Sequence, residues 1–141
     1  MKHIKRYMMP LLCGLMVILL FRFVFIIGIV SSESMEPTIR KGTIVFGLRI
    51  LAEPKREDII FFRHEGRMLI KRVAAVPGDV VYINDYEHSV TVNEVMEGAT
   101  RVLTVPEGCY FVLGNNAEDS WDSRHWSEVW VKQNSVCGKK L

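Results

Sequence analysis

Two serines separated by one residue stand in the run Ser32-Glu33-Ser34-Met35-Glu36-Pro37-Thr38. Such a pair can supply a nucleophile and an oxyanion donor, or it can cap a helix ahead of the Glu-Pro. Lys71 falls in the apolar run Leu69 to Val76, before the turn Pro77-Gly78-Asp79. A lysine inside an apolar strand is unusual, because buried lysines are rare. On an edge strand it would instead snorkel to solvent. A third segment, Gly114 to Arg124, holds Ser120, Asp122 and Arg124 and also reads as a polar loop stabilised by Asx turns and an ion pair. A serine acting as nucleophile must lose its proton as it attacks a carbonyl, so it needs a neighbouring base. The four histidines, His3, His64, His88 and His125, enter no catalytic pattern. No metal-ligand spacing and no Gly-rich phosphate loop occurs, so neither a metal nor a cofactor is expected.

The elements that must position these groups divide at about residue 30. Of the 141 residues, 49% are hydrophobic and 24% charged, which excludes a disordered chain. The net charge of +2 is too small to argue for nucleic acid. Its distribution says more: Lys2, Lys5, Arg6 and Arg22 lie in the first 30 residues with no acid among them. Residues 7–29 carry Arg22 as their only charge and read as a transmembrane anchor. Their Leu, Ile, Val and Phe favour insertion by roughly 4–8 kcal/mol, against about 3 kcal/mol for the arginine. A cleaved secretory signal fits less well, since the run is long and Ser31-Ser32-Glu33-Ser34 is not an Ala-x-Ala site. Residues 1–6 are then a cytoplasmic basic flank, and residues 30–141 lie outside the cytoplasmic membrane.

This body reads as mainly β. Val45-Phe46, Ile59 to Phe62, Met68 to Val76, Val80 to Ile83, Val90 to Val92, Val102 to Val105 and Tyr110 to Leu113 are short runs rich in β-branched and aromatic residues, bounded by turn formers. Asn84-Asp85 suggests a hairpin, and one helical turn is expected at Met35 to Arg40. Cys109 and Cys137 lie on the oxidising side of this topology, where they could pair.

Taken in order, Ser-x-Ser-Met-x-Pro-Thr, Lys-Arg with Pro-Gly-Asp, and Gly-x-Asn with Ser-x-Asp-Ser-Arg resemble the type I signal peptidases. These are membrane-anchored Ser/Lys endopeptidases that remove signal peptides from exported preproteins. The resemblance runs from the anchor to about Gly138 and includes Arg56 to Phe62. It implies an antiparallel β catalytic domain of the signal-peptidase and LexA-like kind behind one membrane helix. It also implies Ser34 as nucleophile, Lys71 as general base, Ser32 as oxyanion-hole donor and Ser120 as the serine that orients the lysine. Asp122 and Arg124 become the ion pair supporting that loop. Met35, Ile39 and Ile70 fall where the family lines its substrate cleft, with small pockets selecting Ala-x-Ala-like sites. Preprotein signal peptides and membrane lipid are the implied partners.

The chain departs from the family pattern at several positions. Ser31 replaces a usual Pro, Ala75 a usual Gly, and Ser127 stands where Gly is common. Asn115 replaces the Asp that would pair with Arg72, leaving Glu118 or Asp119 to supply the charge. Between Asp79 and Pro106 there is room for a hairpin but not for the second β domain of larger relatives. The alternatives are a peptidase dedicated to a pilin or conjugation substrate, a LexA-like self-cleaving protein, and an inactive membrane-anchored β module. No helix-turn-helix pattern accompanies the LexA-like reading, and the presence of both Ser34 and Lys71 speaks against the last.

Overall fold

The computed structural model of the protein describes residues 2–49 and 53–141, with the backbone alone for residues 2–6. The side chains of the expected basic flank, Lys2, Lys5 and Arg6, therefore lie outside the described residues. Helix α1 (Lys2–Val24) contains one stretch long and apolar enough to cross a membrane, Tyr7–Val24, with mean hydropathy 2.1 and none of it buried. At 1.5 Å per residue these 18 residues span about 27 Å, close to the hydrocarbon thickness of a bilayer.

The helix ends earlier than the sequence suggests. Residues 25–29, expected to continue the apolar span, form strand β1 (Phe25–Ile29), and all five pair antiparallel with β2 (Ile44–Leu48). Ile26, Ile27 and Ile29 are β-branched, and a partner strand satisfies their backbone groups, so the ladder replaces the helix here. Arg49 closes the junction from the far end of β2. Its backbone N–H donates to Val24 O at 2.8 Å and its Nε to Arg22 O at 3.1 Å, covering carbonyls that the last helical turn leaves free.

The remaining strands are β3 (Ile59–His64), β4 (Arg67–Ala75), β5 (Val80–Asn84), β6 (Ser89–Val92), β7 (Arg101–Thr104), β8 (Cys109–Leu113), β9 (Val131–Lys132) and β10 (Val136–Lys140). Seven form one antiparallel sheet in the order β1-β2-β10-β3-β4-β8-β9, and β6-β5-β7 form a second. The fold is thus mainly antiparallel β behind one apolar helix. Strand β3 is the spine of the large sheet. Ile59 and Phe61 pack with Ile26, Val30, Met35, Ile39 and Val45 on one face, while Ile60 and Phe62 pack with Val73, Tyr110, Val112, Trp126 and Val131 on the other. Burial on both faces explains why Ile59-Ile60-Phe61-Phe62 is a continuous apolar run instead of an alternating one. The small sheet adds Val81 and Ile83 to a third cluster with Ala75, Val105 and Phe111.

Cys109 and Cys137 are free thiols. Cys109 packs on the small-sheet cluster and Cys137 on the cluster around Phe61, so different cores hold them apart.

Candidate active site

The chain leaving β1 turns back on itself before β2. Gly42 N–H donates to Val30 O at 2.7 Å and Val30 N–H to Thr43 O at 3.0 Å, which pins both ends of the loop. Within it, Ile39 N–H donates to Met35 O at 2.8 Å, giving the single helical turn expected there. Met35 and Ile39 anchor this turn in the core, 1% and 3% exposed. Ser34 is carried inward with them, whereas Ser32 stays exposed. The two hydroxyls lie 3.2 Å apart, within hydrogen-bond distance. Among the described residues the Ser34 hydroxyl accepts from no backbone N–H of that turn, so it does not cap it.

Lys71 occupies the middle of β4, paired with β3 and just ahead of the stretch that pairs with β8, and is 4% exposed. Its amine turns inward and does not snorkel to solvent. Its neighbours on the same face are Leu69 and Val73, with Ile60 directly across on β3. Burial in these apolar surroundings pushes its pKa down to about 8, opposed by the nearby Asp122 charge and assisted by Arg124. Lys71 Nζ donates to Ser120 Oγ at 2.9 Å, and Ser120 Oγ donates in turn to Asp122 Oδ2 at 2.6 Å.

Asp122 is wholly buried and organises the loop after β8. Besides Ser120 it accepts from Gly114 N–H at 3.0 Å, from Arg124 Nε at 2.9 Å and from Arg124 Nη2 at 2.8 Å. Burial alone would raise its pKa, but the hydrogen bonds from Arg124, Ser120 and Gly114 outweigh it and the net shift is downward. Arg124 spends its remaining donors on His88 O at 3.0 Å and Ala117 O at 3.3 Å. The fork geometry of a guanidinium suits this, and a lysine would not satisfy the same acceptors.

The same loop is fastened to the Ser34 turn. Asn116 N–H donates to Ser34 O at 3.0 Å, and Asn115 Nδ2 to Thr38 Oγ1 at 2.7 Å. Gly114 sits so close beneath that an added Cβ would stand 2.1 Å from Ser120 Oγ and 2.5 Å from Ser34 O. The sequence marks this glycine only as part of a turn, and nothing in its spacing announces the contact. Arg72 pairs neither with Glu118 nor with Asp119. It donates to Asn115 Oδ1 at 3.2 Å and to Glu57 O at 3.1 Å, with Glu57 Oε2 at 3.4 Å. Asp119 instead accepts from Asn116 Nδ2 at 3.1 Å.

One cavity of about 270 Å³ takes in Ser32, Ser34, Met35, Ile70 and Lys71 together. Ile39 does not line it; that side chain lies in the core with Val45. The far side of the cavity includes His64, Trp121 and Trp126, none of which the sequence singled out for a cleft. Among the described residues no hydrogen bond joins Ser34 to Lys71. Catalytic contacts are often loose without substrate and tighten when it binds.

The family described as signal peptidase, peptidase S26, matches residues 3–102 and 93–141. A signal peptidase I of Bacillus caldolyticus is 34% identical over 143 residues, covering 83% of this chain and 78% of its own length. One from Bacillus amyloliquefaciens is 30% identical, covering 82% and 74%. A signal peptidase I crystal structure from Enterococcus faecalis is 31% identical, covering 64% of this chain and 98% of that one, with a TM-score of 0.48.

Proposed function

The chain belongs to the signal peptidase, peptidase S26, family, and on that premise we propose that Ser34 is the nucleophile and Lys71 the general base of a signal peptidase I. The observation that carries this reading is the buried Lys71 amine in one cavity with Ser34, held by Ser120. Because the Ser120 proton is committed to Asp122, Ser120 Oγ receives an N–H from Lys71. A neutral amine so held keeps its lone pair for the Ser34 hydroxyl. As Ser34 Oγ attacks the scissile carbonyl, its proton passes to Lys71 Nζ, which then returns it to the departing amine. The Ser34 N–H and the Ser32 hydroxyl meet the developing oxyanion, and removing one such donor costs about a hundredfold or more in turnover.

The sheet also supports an extended peptide as substrate. Strand β1 is the edge of the large sheet, and β8 pairs with β4 only from Arg72 onward, which leaves Arg67–Ile70 free on that side. Four successive antiparallel pairings, β1 to β2 to β10 to β3 to β4, make β1 and β4 parallel. A preprotein segment laid between these free edges would pair with both, the backbone giving affinity and alternate side chains giving selectivity. Met35 and Ile70 line the cavity, and small apolar pockets there would take the small side chains of Ala-x-Ala-like sites.

The anchor holds this site at a membrane surface. The outward face of the β1–β2 hairpin exposes Ile27, Ile29, Ile44, Phe46 and Leu48 directly after the apolar helix. A continuous apolar surface of this kind suits lipid contact. With the basic flank in the cytoplasm, the body lies outside the cytoplasmic membrane. Ser34→Ala or Lys71→Ala is expected to lower preprotein processing by a thousandfold or more, about the scale seen when a nucleophile or its base is removed. Normal turnover by either purified variant would sink the dyad.

A further inference from the structure

The cavity has a second wall on the opposite side of β4 from Met35 and Ile70. Successive residues of a strand face opposite ways, so Leu69 and Lys71 share one face while Ile70 takes the other. The Leu69 face is covered by aromatic side chains. Trp126 packs against Phe62 in the core at 6.0 Å between ring centroids, and His64 stacks on Trp126 at 3.9 Å and 23°. The three rings form a packed cluster whose outer members, His64 and Trp126, line the cavity, and Trp121, 67% exposed beside Ser120, lines it as well. Trp121 stacks on His125 at 5.1 Å and 15°, which orients the indole without burying it.

Direction follows from the fold. Strands β1 and β4 are parallel, and β1 begins where the apolar helix ends, so the start of β4 and the β3–β4 turn lie toward the membrane. The part of a substrate still held in the membrane must lie at that end, and the released part must leave beyond Ser34 and Lys71. From Arg67 to Lys71 is about 13 Å at 3.3 Å per residue, room for four substrate residues before the cut.

We propose that Leu69, His64, Trp126 and Trp121 form a second row of subsites for the second and fourth residues before the cleaved bond, and that this row favours large apolar or aromatic side chains. The proposal rests on the Ser34–Lys71 reading and deepens it. Small residues at the first and third positions meet the Met35–Ile70 side, and period-2 alternation sends the other two side chains to the aromatic wall.

The test uses the full chain in lipid vesicles and preproteins with Ala fixed at the first and third positions before the cut. The second and fourth positions are varied in turn among Ala, Leu and Phe. The wild-type protein is expected to prefer Leu or Phe over Ala at the fourth position by about three- to tenfold in kcat/KM, carried mainly by KM. His64→Ala is expected to erase that preference, and Trp121→Ala the corresponding preference at the second. Each readout is a ratio of two substrates on one variant, so loss of folded protein cancels. A flat wild-type panel, or a preference that survives both variants, overturns the second row while leaving the dyad standing. Failure of the wild-type protein to cut any of these substrates overturns both.

Discussion

Lys71 combines a stability cost with its proposed chemical use. Its pKa of about 8 lies below the ordinary lysine value of 10.5, so the folded protein holds a proton less tightly than the unfolded chain. Between pH 8 and 10.5 the unfolded state binds more protons, and stability rises with pH across that window. Below pH 8 the whole penalty is present, on the order of 3 kcal/mol. Lys71→Met is therefore expected to be inactive yet more stable than the parent at pH 7, with the gap closing above pH 10.5; denaturant titration at both pH values measures this. In the parent, single-turnover cleavage is expected to fall about tenfold per pH unit below 8 as the amine gains its proton. A rate flat from pH 6 to 9 under those conditions rules out Lys71 as the base. Asn115 shows how one departure from the family pattern is accommodated at the same scale. An amide both accepts from Arg72 and donates to Thr38, and Glu57 supplies the negative charge that position 115 no longer carries.

At the scale of elements, the small sheet reaches the lysine without touching it. Arg101 on β7 donates through Nε to Asp85 Oδ2 at 2.9 Å and through Nη2 to Arg124 O at 2.7 Å, while His88 O, from the β5–β6 turn, receives Arg124. The insertion between β4 and β8 thus braces Arg124, which holds Asp122, which holds Ser120. Arg101→Ala is expected to lower kcat by about three- to tenfold with KM nearly unchanged, and to broaden the acid limb of the pH profile as Lys71 loses its fixed partner; steady-state kinetics across pH checks both. The strands β2 to β8 were legible because each is a β-branched or aromatic run between turn formers. Strand β1 was not, because Phe25 to Ile29 extends an apolar helix without a break in composition. The short β9 and the Gly-interrupted β10 carry too little periodicity to declare themselves. The gathering of Ser34, Lys71, Ser120 and Asp122 was legible from motif order. The Gly114 approach, the Glu57 partner and the aromatic wall depend on which strands adjoin, and no local pattern encodes that.

Across the whole molecule, three cores share few residues, and β3 with β4 joins them. The Ser34 turn is anchored in the Phe61 core, Lys71 faces the Phe62 core, and the brace on Ser120 comes from beside the Phe111 core. The site lies at their meeting point, where a small body can hold reacting groups from separate directions. The proposed topology puts all three outside the cytoplasm. Protease added to intact cells is expected to digest the chain beyond residue 30, and protection there with digestion in inverted vesicles would reverse the orientation.

The direct join between α1 and β1 makes the enzyme a ruler. No slack chain separates Val24 from the strand that leads to Ser34, and five extended residues of β1 rise about 17 Å. With Ser34 as the proposed nucleophile and α1 as the anchor, so short a join would hold the reacting hydroxyl at a fixed position relative to the bilayer. A substrate helix crossing the same bilayer must present its cleaved bond at that height, which takes about five or six extended residues beyond its own helix end. Distance from the membrane would then select the bond before any side chain is read, and a preprotein whose apolar helix is lengthened or shortened by one turn is expected to be cut at a different bond.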